Sequence, residues 1–144
     1  MCKTMKMHAT MVEINGNGVL IKGKSGSGKS DLALRLLADN NVHLVADDMV
    51  ELVAENGKIY GKAPQNLQGL LEVRGVGVVR MPYVEQATVD LVVNLVDNPE
   101  KIERMPKTAY ENILGLEIER IDLYAKESSA PEKVKIKLCG VVIN

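Results

Sequence analysis

Apolar residues fall in short runs punctuated by turn residues, a rhythm that predicts more strand than helix. Residues 5–14 are β-compatible. The turn signal Asn15-Gly16-Asn17-Gly18 then leads into Val19-Leu20-Ile21, so the chain is expected to open as a hairpin. From Ser30 the spacing of Leu32, Leu36 and Leu37, with Asp31 in the first turn and Asn40-Asn41 at the end, predicts a helix of about ten residues. Val42-His43-Leu44-Val45-Ala46 predicts a buried strand ending in Asp47-Asp48. Residues 49–61, broken by Glu55-Asn56-Gly57, predict a second hairpin, and residues 76–81, 88–96 and, with weaker alternation, 116–124 predict further strands. The tail fits two periods. Val134, Leu138 and Val141 share a helical face capped by Ser129-x-x-Glu132, whereas Val134, Ile136 and Leu138 alternate as in a strand; the short helix is the preferred reading.

A doubly wound nucleotide-binding domain alternates strands with helices throughout. This chain does so only once, so the pattern predicts a mixed α/β fold with one loop-following helix and much antiparallel sheet.

That one strand–helix junction carries the strongest chemical signal. Gly23, Lys24, Ser25, Gly26, Ser27, Gly28, Lys29 and Ser30 spell G-x-x-x-x-G-K-S between an apolar run and a helix start. The glycines let consecutive backbone NH groups face one concavity, Lys29 sets a cation against the outer phosphates of a nucleotide, and the Ser30 hydroxyl suits a magnesium ion. Gly/Ser-rich turns between strands and helices are common, but they rarely carry Lys-Ser at the helix start.

Bulk composition narrows the setting. A chain of 144 residues suits a single domain, 1–144, with a working core. With 18 basic and 19 acidic residues the net charge is -1, which gives no global attraction to nucleic acid. Four tyrosines and no Phe or Trp leave few platforms for stacking bases. Cys2 and Cys139 make no metal or redox motif, Lys3, Lys6 and His8 break up the start of the chain, and no apolar run approaches the roughly twenty residues of a membrane span. A soluble, cytoplasmic protein is expected.

Phosphoryl transfer also asks for a metal ligand, a carboxylate to activate the acceptor and a cation for transition-state charge. Asp47-Asp48, at the end of a buried strand, is where an acidic residue holds magnesium or its water; a solvated turn is the plainer alternative. In Leu70-Leu71-Glu72-Val73-Arg74-Gly75-Val76-Gly77-Val78-Val79-Arg80 two charges interrupt an apolar run, and a surface ion pair between Glu72 and Arg74 would account for them.

Taken together, Gly-Lys-Ser-Gly-Ser-Gly-Lys-Ser, Leu-Val-Ala-Asp-Asp and Leu-Leu-Glu-Val-Arg-Gly-Val-Gly-Val-Val resemble the catalytic domain of HPr kinase/phosphorylase, from His8 to about Arg104. That family phosphorylates a serine of the phosphocarrier protein HPr and, in many members, removes the phosphate by phosphorolysis. The resemblance implies a phosphoenolpyruvate-carboxykinase-like fold with a partly antiparallel sheet, the use of ATP and Mg2+, and an HPr-type partner. It places the family's histidine on His8, its loop lysine and metal-binding serine on Lys29 and Ser30, and its acid/base aspartate on Asp48. The second metal ligand falls on Glu72 and the catalytic arginine on Arg104.

Departures carry expectations of their own. The family's N-terminal domain has no counterpart here, so the chain resembles short, single-domain members. Ser128-Ser129-Ala130-Pro131-Glu132-Lys133 stands where the family has a Gly-Arg-Asn segment linked to the reverse reaction, which implies weak phosphorolysis. The curtailed C-terminal helices bear on the homo-oligomer, a hexamer in the family, that the resemblance implies. Two rival readings fit the same loop: a nucleotide-binding regulatory module without transfer, and a small-molecule kinase. The first predicts a guanine-reading Asn-Lys-x-Asp, but Asn94-Leu95-Val96-Asp97 lacks the lysine; the second predicts arginine-rich lid segments and more helices than the pattern shows.

Overall fold

The computed structural model describes residues 3–140, 142 and 143. Strands β1 (Lys3–Met7), β2 (Thr10–Ile14) and β3 (Asn17–Lys22) precede helix α1 (Lys29–Leu36). β4 (Val42–Ala46), β5 (Val50–Glu55), β6 (Lys58–Lys62), β7 (Leu70–Val73), β8 (Gly77–Arg80) and β9 (Ala87–Leu95) follow. A single helical turn at Pro99–Lys101, β10 (Ala109–Ile113), β11 (Leu116–Leu123) and helix α2 (Ala130–Cys139) complete the described elements.

The main sheet runs β1-β5-β6-β9-β3-β2-β4, with β10 joined through β11 to β9. It divides along β9. The start of that strand pairs with β6 at Ala87 and Thr88, and its end pairs in parallel with β11 from Val92 to Leu95. β3 is also parallel to β9, while β2 is antiparallel to both β3 and β4. β3, β4, β9 and β11 therefore point the same way. Their carboxyl ends share one edge, where open α/β sheets bind ligands.

Alternation is faint because the central strands are buried on both faces. Val12, Ile21 and Val93 pack beneath Leu32 and Leu36 of α1 and Val134 of α2. Their neighbours Met11, Leu20 and Val92 point the other way, toward Leu52, Ile59 and Ile113. Arg35 ties the two helical regions together: it pairs with Asp31 at 3.1 Å and donates to the Glu127 and Ala125 carbonyls.

Both predicted hairpins form around Asn-Gly turns, with Asn15 at φ 51° and Asn56 at φ 54°, each followed by a left-handed glycine. The first strand region is split at His8-Ala9, because β1 pairs with β5 while β2 pairs with β3 and β4. β10 hides behind a Leu114-Gly115 turn of the same left-handed kind, in which Leu114 takes φ 51°, a conformation that leucine does not advertise. The tail is helical, as preferred. The capping box is not formed, however: Ser129 is the N-cap without a side-chain cap bond, and Pro131 in the first turn already suits a helix start. Val141, expected on the helical face, lies outside the described residues, as does Cys2.

Close packing of strands makes one glycine indispensable. A Cβ at Gly18 would sit 1.8 Å from the backbone carbonyl oxygen of Thr88, in the neighbouring strand. Gly18→Ala is therefore expected to destabilise the domain by about 3 kcal/mol or more. Urea unfolding checks this: a midpoint unchanged from the unsubstituted chain would contradict such tight pairing of β3 with β9.

Candidate active site

The phosphate loop bridges β3 and α1 as its sequence requires. Gly26 and Gly28 take φ values of 81° and 100°, the latter serving as the N-cap of α1, and the Leu32 amide donates to the Gly28 carbonyl at 2.9 Å. A Cβ at Gly23 would meet Ser27 Oγ at 2.5 Å and the Leu95 carbonyl oxygen at 3.1 Å, so a side chain there would crowd the loop. Ser27 Oγ is buried with no hydrogen-bond partner among the described residues. The Lys29 ammonium donates to the carbonyls of Gly23 at 3.0 Å and Lys24 at 3.1 Å, which holds the cation over the loop.

Ser30, one residue into α1, donates its hydroxyl to Asp47 Oδ1 at 2.6 Å. The same oxygen accepts from Thr10 Oγ1 at 2.9 Å, and Asp47 Oδ2 accepts the Glu72 amide at 3.3 Å. One carboxylate thus joins β2, α1 and β7 at the end of β4. The sequence marked Asp47 only as half of an acidic pair, and nothing local marked Thr10. Their partners lie 17 to 37 residues away, so only the folded sheet brings the group together.

The other predicted residues divide by position. Asp48 is exposed beside Asp47, with φ 70°, and its carbonyl accepts the Ala9 amide at 3.3 Å, which lays exposed His8 alongside the acidic pair. Glu72 is exposed on β7, and among the described residues neither it nor Arg74 makes an ion pair, which removes the plainer account of those charges. Arg104 stands in a different setting from the acidic pair and Glu72. It lines a cavity of about 950 Å3 with Lys101, Lys107, Arg120, Asp122 and Lys137.

A chain of ion pairs runs from the strand before the loop to that cavity. Lys22, just before Gly23, meets Glu111 at 2.7 Å, and Glu111 is flanked by Arg120 at 3.6 Å. The Lys101 hydrogen bond and charge, with a smaller contribution from Lys24, hold the Asp97 carboxyl below the usual carboxylate range. Lys24 of the loop and Lys101 of the cavity therefore act on one exposed carboxylate.

A divalent cation fits this donor set. Hydroxyl and carboxylate oxygens are the hard ligands magnesium takes, and a serine that donates its proton to Asp47 keeps its lone pairs for a metal. No three His, Cys, Asp or Glu among the described residues form a metal-holding group. The arrangement suits an ion held by one or two protein oxygens together with nucleotide phosphates.

Fold and loop together define a phosphate-loop protein of mixed α/β architecture. The chain belongs to the family described as the HPr Serine kinase C-terminal domain, whose sequence model matches residues 1–134. It is 36% identical over 132 residues to the HPr kinase/phosphorylase of Mycoplasma mycoides subsp. mycoides, and 41% identical over 131 residues to that of Bordetella pertussis. Each match covers 83% of this chain and 42% of the relative, so the chain spans less than half the length of these relatives. Among solved structures, the Hpr(Ser) kinase/phosphatase from Coxiella burnetii superposes with a TM-score of 0.81 at 30% identity, covering 93% of each chain. These matches bear out the mixed, partly antiparallel sheet expected from the pattern and the family resemblance.

Proposed function

We propose that residues 1–144 form one catalytic domain that transfers the γ-phosphoryl group of ATP to a serine of an HPr-type phosphocarrier protein. The observation that carries this reading is the hydrogen bonding of Asp47 to both Ser30 and the Glu72 backbone, which gathers three sequence-distant segments at the phosphate loop. In the transfer, the serine oxygen bonds to the γ-phosphorus as the bond to the bridging β–γ oxygen breaks, leaving ADP. The serine proton passes to Asp48.

Lys29 and the amides of residues 23–30 hold the outer phosphates, and His8 tunes their environment from beside Asp48. Ser30 and Glu72 are the residues that would hold Mg2+, which when bound offsets phosphate charge. Arg104, from its cavity, is assigned to the charge that develops on the transferred group. Where phosphorolysis operates, Asp48 returns the proton to the serine oxygen. The setting is the cytoplasm; among the described residues no helix is long and apolar enough to cross a membrane. Association into a homo-oligomer is part of this reading, and light scattering on the active protein checks it: a mass of one 15.7 kDa chain at every concentration would contradict it.

Incubation with γ-labelled ATP, Mg2+ and purified HPr, or with a pool of sugars and nucleosides, tests the proposal. Label is expected on an HPr serine. Label on a small molecule, or ATP bound without transfer, would overturn it in favour of one of the two rivals.

A further inference from the structure

Thr10 is fully buried and is the single buried polar or charged residue among those described. Its hydroxyl takes one lone-pair site of Asp47 Oδ1 and Ser30 takes the other, while Oδ2 faces the Glu72 amide. The backbone is shaped for this contact. The pairing of β2 with β4 shifts register between Met11 and Val12, and such irregularities re-aim side chains next to active sites. Beyond the shift, the strand end runs beside Asp47-Asp48, with the Ala9 amide on the Asp48 carbonyl.

We infer that Thr10 is a positioning residue for the phosphate site: its hydroxyl fixes the rotation of the Asp47 carboxylate, so that one oxygen orients Ser30 and the other anchors the strand bearing Glu72. This rests on the reading of Ser30 and Glu72 as metal–nucleotide ligands. A carboxylate with only the Ser30 and Glu72 donors is free to exchange or tilt its oxygens, and both proposed ligands then lose their shared reference point. Thr10 itself is sealed from solvent and acts only through Asp47.

Thr10→Val keeps the shape and removes the hydroxyl; Thr10→Ser keeps the hydroxyl and removes the methyl. Binding of Mn2+, standing in for Mg2+, is followed by electron paramagnetic resonance with saturating ADP, alongside kcat, KM and melting temperature. Thr10→Val is expected to loosen Mn2+ and lower kcat by about 10-fold, the low end of the range for lost partners of metal ligands because Thr10 acts through Asp47, with metal-free ADP affinity unchanged. Thr10→Ser is expected to restore both to near the starting values. Thr10→Val with unaltered Mn2+ affinity, or Thr10→Ser impaired as severely, would overturn the inference. If Thr10→Val does not fold, Thr10→Ala against Thr10→Ser gives the same comparison. Failure to label HPr, with the Mn2+ difference present, would count against the proposed acceptor and leave the role of Thr10 standing.

Discussion

Asp48→Asn is expected to cut phosphoryl transfer to HPr by about 10²- to 10⁴-fold, the usual cost of losing a general base. The substitution is well suited to this position. Asp48 holds φ 70°, a left-handed conformation that Asn tolerates at least as readily as Asp, and its side chain is exposed, so fold and nucleotide binding are expected to persist. What disappears is the basic oxygen, since an amide does not take up a hydroxyl proton. Because the proton acceptor of one direction is the proton donor of the other, any phosphorolysis is expected to fall together with kinase activity. Stopped assays in both directions, with a melting curve as control, decide the matter. Transfer near the unsubstituted rate would remove Asp48 from the role, and brisk phosphorolysis by the unsubstituted chain would show that the absent Gly-Arg-Asn segment is dispensable.

Lys29→Ala is expected to weaken ATP binding at least about tenfold, the scale of one charge-assisted hydrogen bond in a partly desolvated site. Two of the three ammonium hydrogens are engaged by the Gly23 and Lys24 carbonyls, which leaves one for a phosphate oxygen while the cation stays anchored over the loop. The alanine variant loses both the charge and the link that holds the loop's first two residues to α1. Equal ATP affinities by calorimetry would contradict the assignment.

The parts of the molecule legible in its sequence are those set by local rules. Two Asn-Gly hairpins, the buried run Val42–Ala46 and the strand–loop–helix around Gly23 to Ser30 each depend on neighbours a few residues apart. Asp48 and Glu72 are candidates because they stand beside such signals and match a family pattern. Other features depend on contacts between distant segments. The splitting of the sheet along β9 is set by which strands reach its two halves, and β10 is visible only once Leu114 is seen in a left-handed turn. The Asp47 assembly needs a strand irregularity to bring Thr10 within reach, and neither periodicity nor composition reports that. Arg104 marks the other limit: its motif is recognisable in the sequence, but the cavity it lines is built from β10, β11 and α2, which only the fold brings together.

A crystal structure with Mg2+ and a non-hydrolysable ATP analogue decides whether the carboxylates of Asp48, after β4, and Glu72, on β7, converge on a nucleotide held by Gly23 to Ser30. The expected result has the β- and γ-phosphates on the loop amides and Lys29, the metal on Ser30 and Glu72, and the Asp48 carboxylate near the γ-phosphate, about 3 Å from where a serine hydroxyl would attack. An analogue seated away from the loop, or a metal held without Ser30 and Glu72 while Asp48 faces solvent, would contradict it.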